Sequence, residues 1–229
     1  NNKRESWFQL WQKTMHKFRA SVLSEIMTDP KSKDEVLSVG AKTAVMKLAK
    51  ELVYGYDEQI SSKYMEKGIL VEDQAIALYN EVFFTSHQKN IARMSNMWIT
   101  GECDIFTPEK IIDIKSSWSL ATFPVTAEAG KDKGYEWQGR AYMWLWDVDQ
   151  FEVAYCLVNT PDELIGYEQP DLHYVDHINP ELRVTRVQYT RDKALEDKIK
   201  QRVEAANEYL TAMVRQIANE HEYVLTGVN

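Results

Sequence analysis

Two carboxylates and a lysine lie close together near the middle of the sequence. Asp104 lies in the stretch 98–106, and Asp113 and Lys115 lie in the stretch 111–115. Both stretches are rich in β-branched or aromatic residues, so each is predicted to be a strand. A hairpin of these strands would bring two acids and an ammonium group together. Such a group of side chains can hold a divalent metal beside a phosphodiester.

The turn sets the pairing of the two strands. A two-residue turn at Pro108-Glu109 places Asp104 opposite Asp113, with Cβ atoms roughly 4.5–5.5 Å apart, where like charges repel. Lys115 alternates onto the side of Asp113, and the other side carries the core residues Ile112 and Ile114. A one-residue bulge would break this register. Taken alone, the motif favours a solvated strand face with one Asp–Lys pair over a metal site.

A carboxylate also interrupts an apolar pattern. The stretch 64–84 has helical periodicity, and Glu72 falls on the stripe formed by Ile69, Ile76 and Tyr79. Burying an ionised carboxylate without a partner is unfavourable, so the group must find a cation, take up a proton or reach the edge of the core. The alternative is a Glu at the margin of the stripe that reaches water.

An amide interrupts a second apolar pattern. Gln138 lies between Tyr135 and Tyr142 on one face of a helix predicted over 134–146. Its amide can hold a lysine, a water or a phosphate oxygen in place. The alternative is a helix that packs its aromatic side chains in the core, with Gln138 hydrogen-bonded locally.

The remaining pattern predicts an α/β fold, in which helices flank a central mixed sheet. The chain of 229 residues is 44% hydrophobic, and we expect a single domain over 1–229. Two N-terminal helices, with a break at Ala20-Ser21, and a long C-terminal helix complete the expected domain. Further elements are predicted from periodicity: a helix around 45–52 that ends near Gly55, strands at 96–106, 111–116, 151–158 and 184–189, and an irregular segment at 160–183.

Charge and composition restrict the setting. The net charge of −8 argues against a chain that coats nucleic acid over its whole surface, because phosphate binding requires Lys and Arg, but it permits a local groove. The two cysteines give no disulfide framework, and no apolar run approaches the roughly 20 residues that span a bilayer. We therefore expect an intracellular, cytoplasmic protein without a membrane partner.

Taken in order, these motifs resemble the PD-(D/E)XK nuclease superfamily, and they are most similar to the phage recombination exonucleases of the lambda exonuclease or YqaJ-like group. The order is a Glu on a helix, an Asp in a strand after a Gly, then D-x-K, then a helix with Gln and Tyr. The resemblance spans roughly 18–158. The matching segments are 65–75, 101–104, 112–115 and 135–138, with Phe18-Arg19-Ala20-Ser21 as a first motif in which Ser21 and Ser24 can each fill the serine position.

The resemblance implies a restriction-endonuclease-like core and a set of roles. Its metal would be Mg²⁺ or Mn²⁺, as one or two ions, bound by Glu72, Asp104, Asp113 and the carbonyl of Ile114. Lys115 would orient or deprotonate the attacking water, and Gln138 would position Lys115 or the phosphate. Three residues would contact a phosphate of the cut strand: Arg19, Ser21 and Tyr135.

The function implied is a DNA exonuclease that digests duplex ends, in the 5′-to-3′ direction, during phage-type recombination or end resection. The implied partners are DNA, further copies in a ring trimer, and a single-strand annealing protein. Two alternatives stay open at this point. One is a restriction- or repair-like endonuclease of the same superfamily, and the other is a non-catalytic DNA-binding module that kept the fold.

Overall fold

A computed structural model describes residues 15–58 and 61–221 of the chain. Its strands in chain order are β1 (Phe18–Arg19), β2 (Met94–Ser95), β3 (Ile99–Gly101), β4 (Ile105–Phe106), β5 (Lys110–Ser116), β6 (Gln150–Cys156) and β7 (Val184–Thr190). The larger sheet has the order β4-β5-β6-β7, in which β5 and β6 are parallel and the outer pairs are antiparallel. The predicted mixed sheet is therefore confirmed.

The helices are α1 (Val39–Tyr54), α2 (Lys63–Leu70), α3 (Glu72–Phe83), α4 (Lys133–Trp146), α5 (Asp162–Ile165) and α6 (Lys193–Glu220). Asp132 begins α4 by accepting a hydrogen bond from the amide of Tyr135, and Gly55 ends α1 in a left-handed conformation with φ of 65°. Helix α4 connects the parallel strands β5 and β6, as a parallel pair requires. The segment 160–183 contains only short helical turns, as predicted.

The larger sheet has a core on each face. Ile112 and Ile114 of β5 pack with α3 on one face, whereas Ile111 packs with α4 and α6 on the other. Asp113 alternates with these residues and therefore lies on the face of α4. No helix within the described parts of the chain combines the length and the apolar character needed to cross a bilayer.

The single strand predicted over 96–106 is wrong. The chain forms β3 in a smaller three-stranded sheet with β1 and β2, and then enters the larger sheet as β4. The transition follows Gly101, where a Cβ atom would lie 2.8 Å from the ring of Tyr142. Close packing of α4 on the backbone at this point ends β3, and the chain bends before Asp104.

The single helix predicted over 64–84 is also wrong, because it is divided at Val71. Val71 has φ of −110° and ψ of 11°, which ends α2 and starts α3. This turn buries Val71, whereas Ile69 remains 75% exposed. Ile69 is therefore not part of the buried stripe. Glu72 becomes the first residue of α3 instead of a residue in the middle of a helix.

The N-terminal helices differ from the prediction where the structure describes them. Residues 7–14 of the first predicted helix lie outside the described residues, and Phe18-Arg19 forms β1, which pairs in parallel with β3. A 3₁₀ helix, Ala20–Glu25, then continues across the break predicted at Ala20-Ser21. Phe18, Ala20 and Leu23 are buried, so tertiary packing overrides the local helical pattern.

Candidate active site

The hairpin of β4 and β5 brings the two aspartates together. Its register pairs Ile105 with Ile112 and Phe106 with Ile111, as the turn predicted. Asp104 immediately precedes β4, and its Oδ2 accepts a hydrogen bond of 2.7 Å from the backbone amide of Ile114. Asp113 is 1% exposed. The carboxylate of Asp104 is therefore fixed against the backbone of the residue that follows Asp113.

Lys115 neutralises part of this negative charge. Its Nζ lies 2.7 Å from Oδ2 of Asp113 and 4.6 Å from the centre of the Tyr135 ring, on the side of β5 predicted for it. Burial by itself would lower the pKa of Lys115, but the charges of Asp113 and Asp104 outweigh burial and raise it. The ammonium group is thus held in its charged form between two acids and an aromatic face.

The aspartate pair retains an unfavourable charge. Burial, and then repulsion from Asp113, raise the pKa of Asp104 to about 7. The buried Oδ2 of Asp113 receives no donor in hydrogen-bond geometry within the described residues, although the ammonium of Lys115 is close to it. A hard divalent cation would relieve both conditions, since it prefers carboxylate and carbonyl oxygens as ligands. These residues therefore fit a divalent metal.

Glu72 lies near the pair, but its carboxylate is occupied. Oε2 of Glu72 accepts a hydrogen bond from Nζ of Lys89, and this contact raises the pKa of Lys89. The charge of Glu72 also contributes to the raised pKa of Asp104. Within residues 15–58 and 61–221, no three His, Cys, Asp or Glu side chains already converge as a ligand set. Oε2 of Glu72 must leave Lys89 before this oxygen can join the aspartates around a metal.

Helix α4 lies against the same face of the sheet and carries Gln138. The side-chain amide of Gln138 donates a 2.9 Å hydrogen bond to the hydroxyl of Tyr142, which donates to the carbonyl of Glu102 at 2.9 Å. Burial, together with the charge of Asp113, raises the pKa of the Tyr142 hydroxyl. Through Tyr142, Gln138 is therefore linked to Glu102, two residues before Asp104. The sequence pattern had indicated only a core role for Tyr142.

The residues expected to contact phosphate lie on three elements: Arg19 on β1, Ser21 on the 3₁₀ helix, and Tyr135 on α4 beside Lys115. Arg19 is exposed on β1 and lines a cavity of about 620 Å³ with residues of α1 and the start of α2. Ser21 and Ser24 are one turn apart on the 3₁₀ helix and so share a face. Ser21 is exposed, whereas Oγ of Ser24 lies beside Gly134 at the start of α4. Ser24 is thus the serine that packs against the helix of Gln138.

Two lysines that hold this region together were missed by the sequence analysis. Lys89 is one of them, and no periodicity marks its loop. The other is Lys67, which is fully buried in α2 and donates hydrogen bonds to the carbonyls of Ser117, Trp118 and Val158 at 2.7–3.0 Å. It fastens the chain that leaves β5 to the chain that leaves β6. Burial lowers the pKa of Lys67 to about 8, and the three carbonyl oxygens stabilise its charged form.

Comparison with known proteins places this chain in a family. No protein-family model matches the chain, and no curated protein does. A phage-related exonuclease from Haemophilus somnus is 37% identical and has a TM-score of 0.85, over 91% of this chain and 99% of that one. An alkaline exonuclease from Laribacter hongkongensis shares the fold at 17% identity, with a TM-score of 0.66, over 93% of this chain and 96% of that one.

A complex of that alkaline exonuclease with dAMP has the same fold, at 20% identity and a TM-score of 0.65, over 90% of this chain and 93% of that one. These two comparisons concern the fold, whereas the Haemophilus protein combines high identity with nearly complete coverage of both chains. The chain therefore belongs to the phage-related exonucleases, a lambda-exonuclease-like group of the PD-(D/E)XK nuclease superfamily.

Proposed function

We propose that the protein is a magnesium-dependent DNA exonuclease that hydrolyses phosphodiester bonds from duplex ends. The observation that carries this proposal is the pair formed by the buried Asp113 and the partly buried Asp104, with Lys115 beside it. Repulsion within the pair costs the folded protein free energy that a purely structural site would avoid. A site that binds a cation and a phosphodiester explains why such a cost is retained.

The ligands would be the carboxylates of Asp104, Asp113 and Glu72 and the carbonyl of Ile114, around one or two Mg²⁺ or Mn²⁺ ions. When bound, the metal supplies Lewis acidity, which lowers the pKa of a water and neutralises the charge that develops on the phosphate. Asp104 is held toward this position by its hydrogen bond from the Ile114 amide. Glu72 reaches it from the N-terminus of α3.

Lys115 has the position of the group that handles the attacking water. Its ammonium lies between Asp113 and the ring of Tyr135, and the side chain is only 24% exposed, which limits the directions in which it can move. From there it orients the water and stabilises the negative charge of the transition state. Gln138 holds Tyr142 against the carbonyl of Glu102 and thereby fixes the approach of the chain to Asp104.

Arg19, Tyr135 and a serine of the 3₁₀ helix would contact a phosphate of the strand being cut. Ser21 was the expected serine, and Ser24 lies nearer to α4. With a net charge of −8, the chain would hold DNA through a narrow groove or a ring of copies, such as a trimer, better than through an open surface.

We further propose that the chain is one domain, that digestion runs in the 5′-to-3′ direction, and that the protein acts in phage-type recombination with a single-strand annealing protein.

Digestion of linear and closed circular duplex DNA, with Mg²⁺ and with chelator, tests this function. Degradation of the linear DNA alone, dependent on Mg²⁺, is the expected result. Release of mononucleotides from a 5′-labelled end before a 3′-labelled end would establish the polarity. Cutting of the circles would instead identify an endonuclease, and no cutting would indicate a binding module.

Variants link the activity to this site. Lys115→Ala and Asp104→Ala should each lose at least about 100-fold in rate, the usual contribution of a positioned acid–base or electrostatic group. Lys131→Ala is the matched control, because Lys131 is an exposed lysine just before α4 that forms an ion pair with the exposed Glu128. Retention of full magnesium-dependent activity by Lys115→Ala or Asp104→Ala would refute the assignment.

A further inference from the structure

The loop between α3 and β2 is fixed on both sides of Lys89. Before Lys89, the side chain of Asn80 accepts hydrogen bonds from Thr85 and His87 and donates to the carbonyl of His87. After it, the amide of Asn90 donates to the carbonyl of Asp104 at 2.6 Å. The loop has no regular secondary structure, yet its backbone is anchored beside the aspartates.

The anchored loop directs the ammonium of Lys89 at the proposed metal centre. Nζ of Lys89 forms an ion pair with Oε2 of Glu72, and it also lies within electrostatic range of Asp104 and Glu102. Glu72 is a proposed metal ligand, and its Oε2 is occupied by the ammonium of Lys89, whose positive charge opposes a divalent cation at the same carboxylate. Binding of the metal is therefore expected to weaken the ion pair of Lys89 with Glu72.

We propose that Lys89 is a resident cation at Glu72 that the divalent metal displaces, and that the displaced lysine then binds a backbone phosphate of the DNA. This inference rests on the function proposed above. It assigns Lys89 two successive partners, a carboxylate when no metal is bound and a phosphate when the metal and DNA are both bound. Metal binding and DNA binding are then coupled through one side chain.

The exposure and the flexible side chain of Lys89 favour this exchange. Its side chain is 44% exposed, whereas that of Glu72 is 24% exposed, so the lysine can move away into solvent while its backbone stays anchored. A lysine is a flexible point charge that binds phosphate without a fixed geometry. Once the metal neutralises the carboxylates of Glu72 and Asp104, a phosphodiester held at the site would be a new anionic partner for Lys89.

Titration with Mn²⁺ alone, without DNA, tests the first partner. Lys89→Met should bind Mn²⁺ about threefold to fivefold more tightly than the wild type, because an exposed ion pair no longer competes for Glu72. Arg93→Met is the matched control, since Arg93 lies on the same loop but pairs with Glu102. It removes the same charge without freeing Glu72, so its affinity should change less than about twofold.

Two outcomes of this titration separate the inference from the function beneath it. Equal Mn²⁺ affinity in the wild type and Lys89→Met, or an equal gain in Arg93→Met, would overturn the role of Lys89 and leave the proposed metal site standing. Absence of Mn²⁺ binding by the wild type would overturn both.

Binding of a short duplex tests the second partner. We would measure the dependence of its affinity on salt, once with Ca²⁺ in place of Mg²⁺ and once with chelator. With Ca²⁺ present, Lys89→Met should show a slope smaller by about one than the wild type, the value for one lost phosphate contact. With chelator the two slopes should agree, because Glu72 then retains Lys89. A difference of equal size under both conditions would overturn the exchange.

Discussion

Replacing Asp104 with Asn should make the protein more stable and catalytically inactive. Asn has nearly the same shape as Asp, and its side-chain oxygen can still accept the hydrogen bond from the Ile114 amide. The substitution removes one of two neighbouring like charges, which partial burial and Asp113 make costly to maintain. The acid is therefore expected to cost stability in return for its role in metal binding.

The size of the effect follows from the pKa of Asp104, which is about 7 in the folded protein against a usual value of 3.8. Each pKa unit corresponds to about 1.4 kcal/mol, so ionisation of Asp104 costs the folded, metal-free protein up to about 4 kcal/mol. We expect about 2–4 kcal/mol, because a site near the surface relaxes when it is charged. For a chain of this size, 2 kcal/mol corresponds to roughly 4–8 °C in melting temperature.

The sign of the pH dependence follows from the same shift. Below about pH 4, Asp104 is protonated in the folded and unfolded protein, so the folded protein carries none of the cost of ionising it. Between about pH 4 and pH 7 only the folded protein retains the proton, and the free energy of unfolding decreases as pH rises. Above about pH 7 the wild type has lost all of this free energy of unfolding. The difference in free energy of unfolding between Asp104→Asn and the wild type should therefore grow from pH 5 to pH 8.

Denaturant unfolding in chelator at pH 5, 6.5 and 8 measures this difference. Asp29→Asn is the contrasting control, because Lys198 and Arg202 lower the pKa of Asp29. Its loss should destabilise the protein, by at most about 1 kcal/mol for an exposed pair. If Asp104→Asn were no more stable than the wild type at pH 8, or if its advantage did not change with pH, the charge strain inferred for the site would be wrong.

Further predictions concern the helices that hold the site, each measured by thermal or denaturant unfolding. Gly139→Ala should lower the free energy of unfolding by about 1–3 kcal/mol, because its Cβ would lie 1.9 Å from the Phe151 ring, whereas Gly68→Ala, with open space around it, should raise it by up to about 1 kcal/mol. The opposite signs are the test, and a stabilising Gly139→Ala would contradict the packing of α4 on β6. Lys67→Met should destabilise by about 3 kcal/mol or more, because the buried carbonyls of Ser117 and Val158 lose the donor that Lys67 supplies, whereas the carbonyl of Trp118 keeps the hydroxyl of Thr160. A neutral Lys67→Met would show that these carbonyls find other partners.

The parts of the site that local patterns determine were predicted from the sequence. Alternation along β5 placed Ile112 and Ile114 in a core and Asp113 with Lys115 on the other face, and the turn gave the correct register. Helical periodicity gave α4, on which Gln138 is buried. In both cases the signal lies within a few residues, because a register or a helical face is fixed by near neighbours.

The division of 96–106 could not be predicted in the same way, because it depends on packing between distant segments. Gly101 is approached by the side chains of Tyr142 and Ala20, which lie far from it in sequence. An isolated Gly within a strand pattern does signal a close approach or a bend, so the residue itself was a clue. What approaches Gly101, and where the chain then turns, is decided by α4 and the 3₁₀ helix.

The break at Val71 shows how a departure from periodicity serves the site. In one continuous helix, Glu72 would project from the middle of a stripe and would need a buried partner. As the first residue of α3, it lies where the helix dipole favours a negative charge. It also lies within reach of Lys89, which is supplied by a loop without periodicity. The third acid therefore lies at a helix end, 24% exposed and paired with a lysine of a loop, so its carboxylate can change partners, which a carboxylate sealed in the core could not do.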